Sequence, residues 1–561
     1  MRPPKPFFLL LEAGWWLFCY PIFGEEPFIW KTPTGPTYYV KEEGLCQIDF
    51  LGRQIARGQW LFQPADWMFT QAGKPDSVWQ LRKAEKHKTG ESSVRVIQEY
   101  PEGKTIFDYA FNQEDVLVKV RVENFSGKPI EISRFGTLTF DFGESPEGVM
   151  PVWHISYLQA AGKGCFHPSH LNRIGGSYAV GKDFGVGVSP KGGFLRRTLF
   201  LWDLPNWGKQ EIRNPRHLSF YVAEPVPPEG AKSFSFALRV SSNRNWQHLL
   251  TPYRDYFQEV LGPVRYRADY RLLTVAHVNR NVESIGPDNP YGFHGGFRRL
   301  DLESGVKSFC DTLIPALKTA NGQGVIIWGQ SGTDPRGAMY RPDFDVLPPE
   351  VESNWSIIHQ RFKEAGLRHG VCTRPGEMAI RINWKKDGTV RINPDDIQQL
   401  EILWARFKKM IDLGCSLFYL DSFGAKWEDV KIMRFLRERM GAEIQTFAEH
   451  QCDALMPFSG AYTETDFYQA GQAAWVKQTG YYPRAGLRNW EIYQWLVPGV
   501  QMISRLYGVV GTIPEGFEPV ERFFWRHKIT PMIQDYRLAG QATQLQAVQA
   551  EYLNEQNCWK K

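Results

Sequence analysis

Two carboxylates stand at the ends of two apolar runs: Asp421 after Leu417-Phe418-Tyr419-Leu420, and Glu449 after Ile444-Gln445-Thr446-Phe447-Ala448. One helix-like segment separates them. If the runs are neighbouring parallel strands of a β/α barrel, both side chains emerge at the C-terminal face, where such barrels place their chemistry. Neighbouring strands lie roughly 4.8 Å apart. Carboxyls at their ends can therefore approach the roughly 5 to 5.5 Å spacing of a retaining glycosidase, rather than the wider gap that admits an inverting water. In that chemistry Asp421 attacks the anomeric carbon, while Glu449 protonates the leaving oxygen and then deprotonates a water. A lone Asp before Ser-Phe-Gly can equally cap a turn or a helix. Two carboxylates ending consecutive strands favour catalysis.

Residues 263–515 read as the barrel that must position them, because strand-like runs alternate there with helical patterns, the sign of a parallel sheet. Strands one to three are Leu272 to Val278, Val325 to Gln330 and Leu367 to Arg374. Strands four and five carry Asp421 and Glu449; Pro457 to Thr463 supplies a sixth, and segments near Val500 and Val509 a seventh and an eighth. A helix from Asn354 to Ala365 ends at Gly366, a suitable left-handed cap. Another is capped by Asn393, with Pro394 in its first position and Ile397, Leu400, Leu403, Phe407 and Met410 as its stripe, and a third runs from Glu428 to Met440. The turn signal Asp387-Gly388 predicts a hairpin of Ile380 to Trp384 with Thr389 to Ile392. Residues 516–561 read as a C-terminal helical segment.

Ahead of the barrel, residues 27–243 alternate apolar and polar positions around turn clusters, as in Val116 to Val122 followed by Ile130 to Ser133, which predicts antiparallel strands with one buried face. Residues 244–262 predict one linker helix with Trp246, Leu249, Leu250, Tyr253 and Phe257 on one face. The expected fold is an N-terminal antiparallel β-sandwich followed by a (β/α)8 TIM-like barrel. On the barrel rim, His277 and Asn279 end strand one, Trp328 and Gln330 strand two, Arg374 and Glu377 follow strand three, and Tyr419 and His450 flank the carboxylates. Trp328 suits stacking on a sugar face, and Arg374 suits a polar or acidic substituent.

The segments Phe418-Tyr-Leu-Asp421-Ser-Phe-Gly and Thr446-Phe-Ala-Glu449-His450, in the order sandwich, barrel, Asp on strand four, Glu on strand five, resemble the α-amylase superfamily. The resemblance is closer to the endo-α-N-acetylgalactosaminidases and α-N-acetylgalactosaminidases. Val122-Glu-Asn-Phe-Ser-Gly-Lys-Pro-Ile130 is similar to a stretch of the supersandwich that precedes the barrel in several glycoside hydrolase families. The resemblance implies Asp421 as nucleophile and Glu449 as acid/base, acting on an α-linked galactosaminide, galactoside or glucan. The amylases carry an Arg two positions before the nucleophile, where this chain has Tyr419. Barrels similar to the α-galactosidases put the acid on strand six, which makes Glu464 the reserve acid beside Asp466.

Composition bounds the rest. A chain of 561 residues exceeds what one core normally serves, and 43% hydrophobic with 23% charged residues is a globular balance, so two large domains are expected. The net charge of +5 comes from 66 basic and 61 acidic residues without a long basic block, which argues against nucleic acid as a partner. The 20 Trp, 23 Tyr and 37 Phe supply faces for sugar rings, although most must pack cores. Arg2 and Lys5, the apolar runs Phe7 to Leu11 and Trp15 to Tyr20, and Ile22-Phe23-Gly24 read as an export signal over residues 1–24, interrupted by Glu12. A secreted or periplasmic location is therefore expected. No other stretch is long and apolar enough to span a membrane.

The eight Cys form no CxxC pair, and Cys415 reads as a small core residue. His154, Cys165, His167 and His170 do not match a closed zinc pattern, so neither metal nor cofactor is expected. Gly292 to Gly296 lacks the Lys of a phosphate loop, and no Gly-x-Ser-x-Gly elbow stands at a strand end. The expected partner is an oligo- or polysaccharide or a glycoconjugate. The rival readings are a catalytically silent carbohydrate-binding or scaffold protein of the same fold, and a barrel sugar isomerase or lyase.

Overall fold

The computed structural model describes residues 26–33, 35–65, 79–130, 132–143, 147–149, 175–191, 198–202, 216–222, 224–278, 293, 302–332, 344–379, 389–424, 426–449, 452–462, 489–506 and 517–555. The predicted export signal and the His154, Cys165, His167, His170 group lie outside them.

The N-terminal part consists of two eight-stranded sheets, with antiparallel pairing throughout. Alternation sets their faces. In the strand Asp115–Asn124, Val116, Val118, Val120 and Val122 are wholly buried, while Leu117 is exposed between them. The strand ends where Asn124 folds the chain back: its amide nitrogen donates to the carbonyls of Lys128, Val226 and Pro227, and its oxygen accepts from Ser126. This gives a structural reason for the Val122 to Ile130 stretch. A tight turn must satisfy its own backbone groups, and Asn does so with both ends of one amide.

A connection of two helices, Trp246–Leu249 and Thr251–Leu261, joins the sandwich to the barrel. The spacing predicts one helix, but Pro252 lacks the N–H that a continuous helix needs and starts a new one. These helices rest on bare backbone of the sandwich: a Cβ on Gly187 would meet the Leu249 carbonyl, and one on Gly176 would lie 2.7 Å from Cδ1 of Tyr253. Arg239 of the sandwich pins the first helix, with a two-pronged ion pair to Asp115 at 2.7 and 2.9 Å and a third bond to the His248 carbonyl at 2.9 Å.

Eight parallel strands then close a barrel: Leu273–His277, Gly324–Trp328, Arg368–Thr373, Leu417–Leu420, Gln445–Ala448, Gly460–Tyr462, Met502–Arg505 and Ile529–Gln534. The last of these corrects the expectation of an eighth strand near Val509 and a barrel ending at 515. Among the described residues, the helix Asp535–Glu555 follows the last barrel strand. Two smaller corrections concern the connection after strand three. Asp396, not Asn393, caps the helix Ile397–Asp412, its carboxylate accepting from Gln398 N–H at 2.9 Å. The hairpin pairs Glu377–Ala379 with Thr389–Arg391, so its first arm begins before Ile380. Inward-pointing Leu273, Val275, Ile326, Trp328, Cys372, Leu417, Tyr419, Phe447, Ile503 and Met532 fill the barrel. Among the described residues no helix is long and apolar enough to cross a membrane, and Cys46, Cys310, Cys372, Cys415 and Cys452 are free thiols, with Cys415 buried as expected.

Candidate active site

Side chains alternate along a strand, so each inward residue of the core predicts the next inward position two residues on. Cys372 on strand three leads to Arg374, Tyr419 on strand four to Asp421, and Phe447 on strand five to Glu449. Register aligns the three strands: Thr373 lies opposite Leu420, and Leu420 opposite Ala448. The ladder continues one bond past the strand ends, Asp421 N–H donating to Thr373 O at 2.8 Å and Glu449 N–H to Leu420 O at 3.0 Å. Arg374, Asp421 and Glu449 therefore form a tier at the C-terminal rim, above a floor of Cys372, Tyr419 and Phe447.

The carboxyls of Asp421 and Glu449 are within hydrogen-bonding reach of each other. Arg374 Nε donates to Asp421 Oδ2 at 3.0 Å, and its Nη1 lies 4.0 Å from Glu377 Oε2. The side chains of Arg374 and Asp421 are 20% and 13% exposed, shielded yet reachable from the rim. Burial, and then the charge of Glu449, pushes the Asp421 carboxyl well above the usual carboxylate range. Two carboxyls in such contact repel each other when both are ionised, which adds to the burial that holds Asp421 up.

Ser422 completes the arrangement. Its N–H donates to Glu449 Oε2 at 2.7 Å and its hydroxyl to Asp421 Oδ2 at 3.2 Å. The backbone there is left-handed, φ +52°, a conformation uncommon outside glycine that aims the amide at Glu449.

The other predicted rim residues divide. Trp328 and Tyr419 are buried and lie against each other at 4.6 Å between ring centroids, with His277 5.5 Å from Trp328. They build the floor of the site. Gln330 is buried as well, its amide bracing the carbonyls of Phe344 and Cys372 at 3.1 and 3.3 Å. Asn279, His450 and Glu464 lie outside the described residues. Tyr419 points into the barrel, and the guanidinium beside Asp421 comes from Arg374 on the next strand instead.

Just beyond strand five, the buried carboxyl of Asp453 joins three parts of the molecule. It accepts from Tyr253 Oη of the connecting helix, from Gly175 N–H of the sandwich at 3.0 Å and from Ala454 N–H at 2.6 Å. Burial pushes it up to about 7. A carboxyl whose folded value exceeds its unfolded one contributes stability that is fully present below the unfolded value and is lost as pH rises through the folded one. The melting temperature is therefore expected to fall between pH ~4 and ~7, and Asp453→Asn to flatten that slope by a few degrees. An unchanged slope in melting curves taken at half-unit pH steps would remove Asp453 as its source.

No family model matches the sequence, and no curated protein matches it. Solved structures do share its fold. The α-N-acetylgalactosaminidase NagBb from Bifidobacterium bifidum, in complex with GalNAc, superposes with a TM-score of 0.63 at 11% identity over 93% of each chain. A quadruple mutant of that enzyme superposes with a TM-score of 0.58 at the same identity and coverage. The likeness extends over both the sandwich and the barrel.

Proposed function

We propose that the chain is a retaining glycoside hydrolase acting on an α-linked sugar by double displacement, with Asp421 as nucleophile and Glu449 as acid/base. The observation that carries this reading is the direct contact of the two carboxyls at the ends of adjacent barrel strands, with Arg374 on one and the Ser422 amide on the other. Carboxyls at the ends of adjacent strands suit the roughly 5 to 5.5 Å separation of a retaining enzyme better than the roughly 6.5 to 9.5 Å of an inverting one.

The Arg374 guanidinium, 3.0 Å from Asp421 Oδ2, favours the carboxylate form that a nucleophile needs, against the burial and the Glu449 charge that push this carboxyl up. A neighbour of the same fold named for α-N-acetylgalactosaminide cleavage, together with the segments around Asp421 and Glu449, supports a galactosaminide or galactoside as the first substrates to test. The residues at the N-terminus support export.

The test is the configuration of the first-formed product. With an aryl α-glycoside that the protein cleaves, proton NMR within the first minutes is expected to show the α-anomer, followed by mutarotation. Initial β-anomer would establish inversion and remove the nucleophilic role of Asp421. No turnover across aryl α- and β-glycosides of galactose, N-acetylgalactosamine and glucose would count for a silent binding protein.

A further inference from the structure

The turn that follows Asp421 is held from behind by a second buried acid. Asp429, in the first turn of the helix Trp427–Arg439, directs one oxygen, Oδ2, back to the N–H groups of Gly424 at 2.9 Å and Lys426 at 3.0 Å. The other oxygen faces strand three's loop, where a Cβ on Gly376 would lie 3.8 Å from Oδ1 and 3.7 Å from Cδ2 of Phe423. Phe423 itself is fully buried. Asp429 thus binds the turn that follows Asp421, through Gly424 and Lys426, and lies beside Gly376 of the loop that follows Arg374.

A carboxylate near a helix start commonly caps that helix, and the Lys426 contact alone would be such a cap. The Gly424 bond reaches further. It fixes the far side of a turn whose near side, Ser422, is left-handed and donates to Glu449, with Gly424 itself at φ +112°. Two consecutive constraints of this kind need an external hold, since nothing in the local sequence favours a left-handed serine. We infer that Asp429 is a positioning residue for the acid/base: through Gly424 it sets the Ser422 amide that orients the Glu449 carboxyl. This rests on the reading of Glu449 as general acid. It predicts an effect on proton donation to the leaving group rather than on sugar binding.

The experiment compares a phenyl glycoside, whose leaving group needs a proton, with a 2,4-dinitrophenyl glycoside of the same sugar, which does not. Asp429→Ala is expected to lower kcat/KM, which reports the glycosylation step, on the order of 10²-fold for the phenyl glycoside and only about threefold for the dinitrophenyl glycoside. Asp429→Asn, which keeps an oxygen for the two amides, is expected to recover most of the loss. Glu449→Ala is the reference. If it shows the leaving-group dependence and Asp429→Ala loses both substrates equally, the inference is overturned while the reading of Glu449 stands.

If Glu449→Ala lacks the dependence, the acid assignment fails, and thermal melting decides the positioning link by itself. Asp429→Ala combined with Glu449→Gln is expected to depart from the sum of the single shifts by about 2 °C or more. Additive shifts overturn the link whatever the substrate.

Discussion

Asp421→Ala is expected to lower kcat on the order of 10⁴-fold or more, since the bond to the anomeric carbon has no other donor within the tier. The loss is expected to be reversible by a small anion. Removing the carboxylate leaves a space beside the Arg374 guanidinium, which at present sits 3.0 Å from Asp421 Oδ2. Azide is small, anionic and nucleophilic, and that space lies on the face from which Asp421 attacks. With an activated aryl glycoside the variant should release a glycosyl azide of the opposite anomeric configuration to the substrate, identified by its anomeric coupling constant. Undiminished turnover in Asp421→Ala would eliminate it as nucleophile. An azide product of retained configuration would place the nucleophile elsewhere, with Glu449 next to be tested.

The pair was legible in the sequence because its strands are short and carry no other charge, so an acidic residue at each end stands out from the run before it. Parity along strand four also separates roles. Tyr419 and Asp421 share the inward face one tier apart, and therefore Tyr419 belongs to the floor and not to the rim. Trp328 follows the same logic on strand two. Arg374 is different: its pairing with Asp421 depends on the register of strands three and four, and no local pattern encodes a register between segments more than forty residues apart. The eighth strand was hidden by its own composition. Ile529-Thr-Pro-Met-Ile-Gln carries Pro531, which argues against a central strand, and it is bracketed by helices that made the C-terminus read as helical throughout. Barrel closure overrides that preference, since strands one and seven would otherwise leave open edges.

Burial also hid the residue that holds strand five. Arg437 reads as one more charge on a surface helix, yet it is buried. Its guanidinium donates to the carbonyls of Phe458 and Ile444 at 2.8 Å each and to Thr446 Oγ1 at 2.9 Å. Among the described residues it has no carboxylate partner, and burial pushes it down to about 10, so it remains charged at neutral pH. The partners define its task. Ile444 and Thr446 flank Gln445, the first residue of strand five, and Phe458 leads into strand six, so one planar fork ties the root of the strand that ends in Glu449 to its neighbour. Arg437→Met fits the space but strands three buried acceptors, each left without the bond that offset its desolvation. The barrel is expected to lose about 3 kcal/mol or more of unfolding free energy, measured by denaturant unfolding. Arg437→Lys should recover only part, because a single ammonium cannot reach all three acceptors in the plane of the fork. Activity should fall with stability in Arg437→Met, since Glu449 stands four residues beyond Gln445 on the same short strand and inherits any shift at its root. Equal stability of Arg437→Met and wild type would mean that water takes over the three acceptors and that strand five is held by its ladder alone.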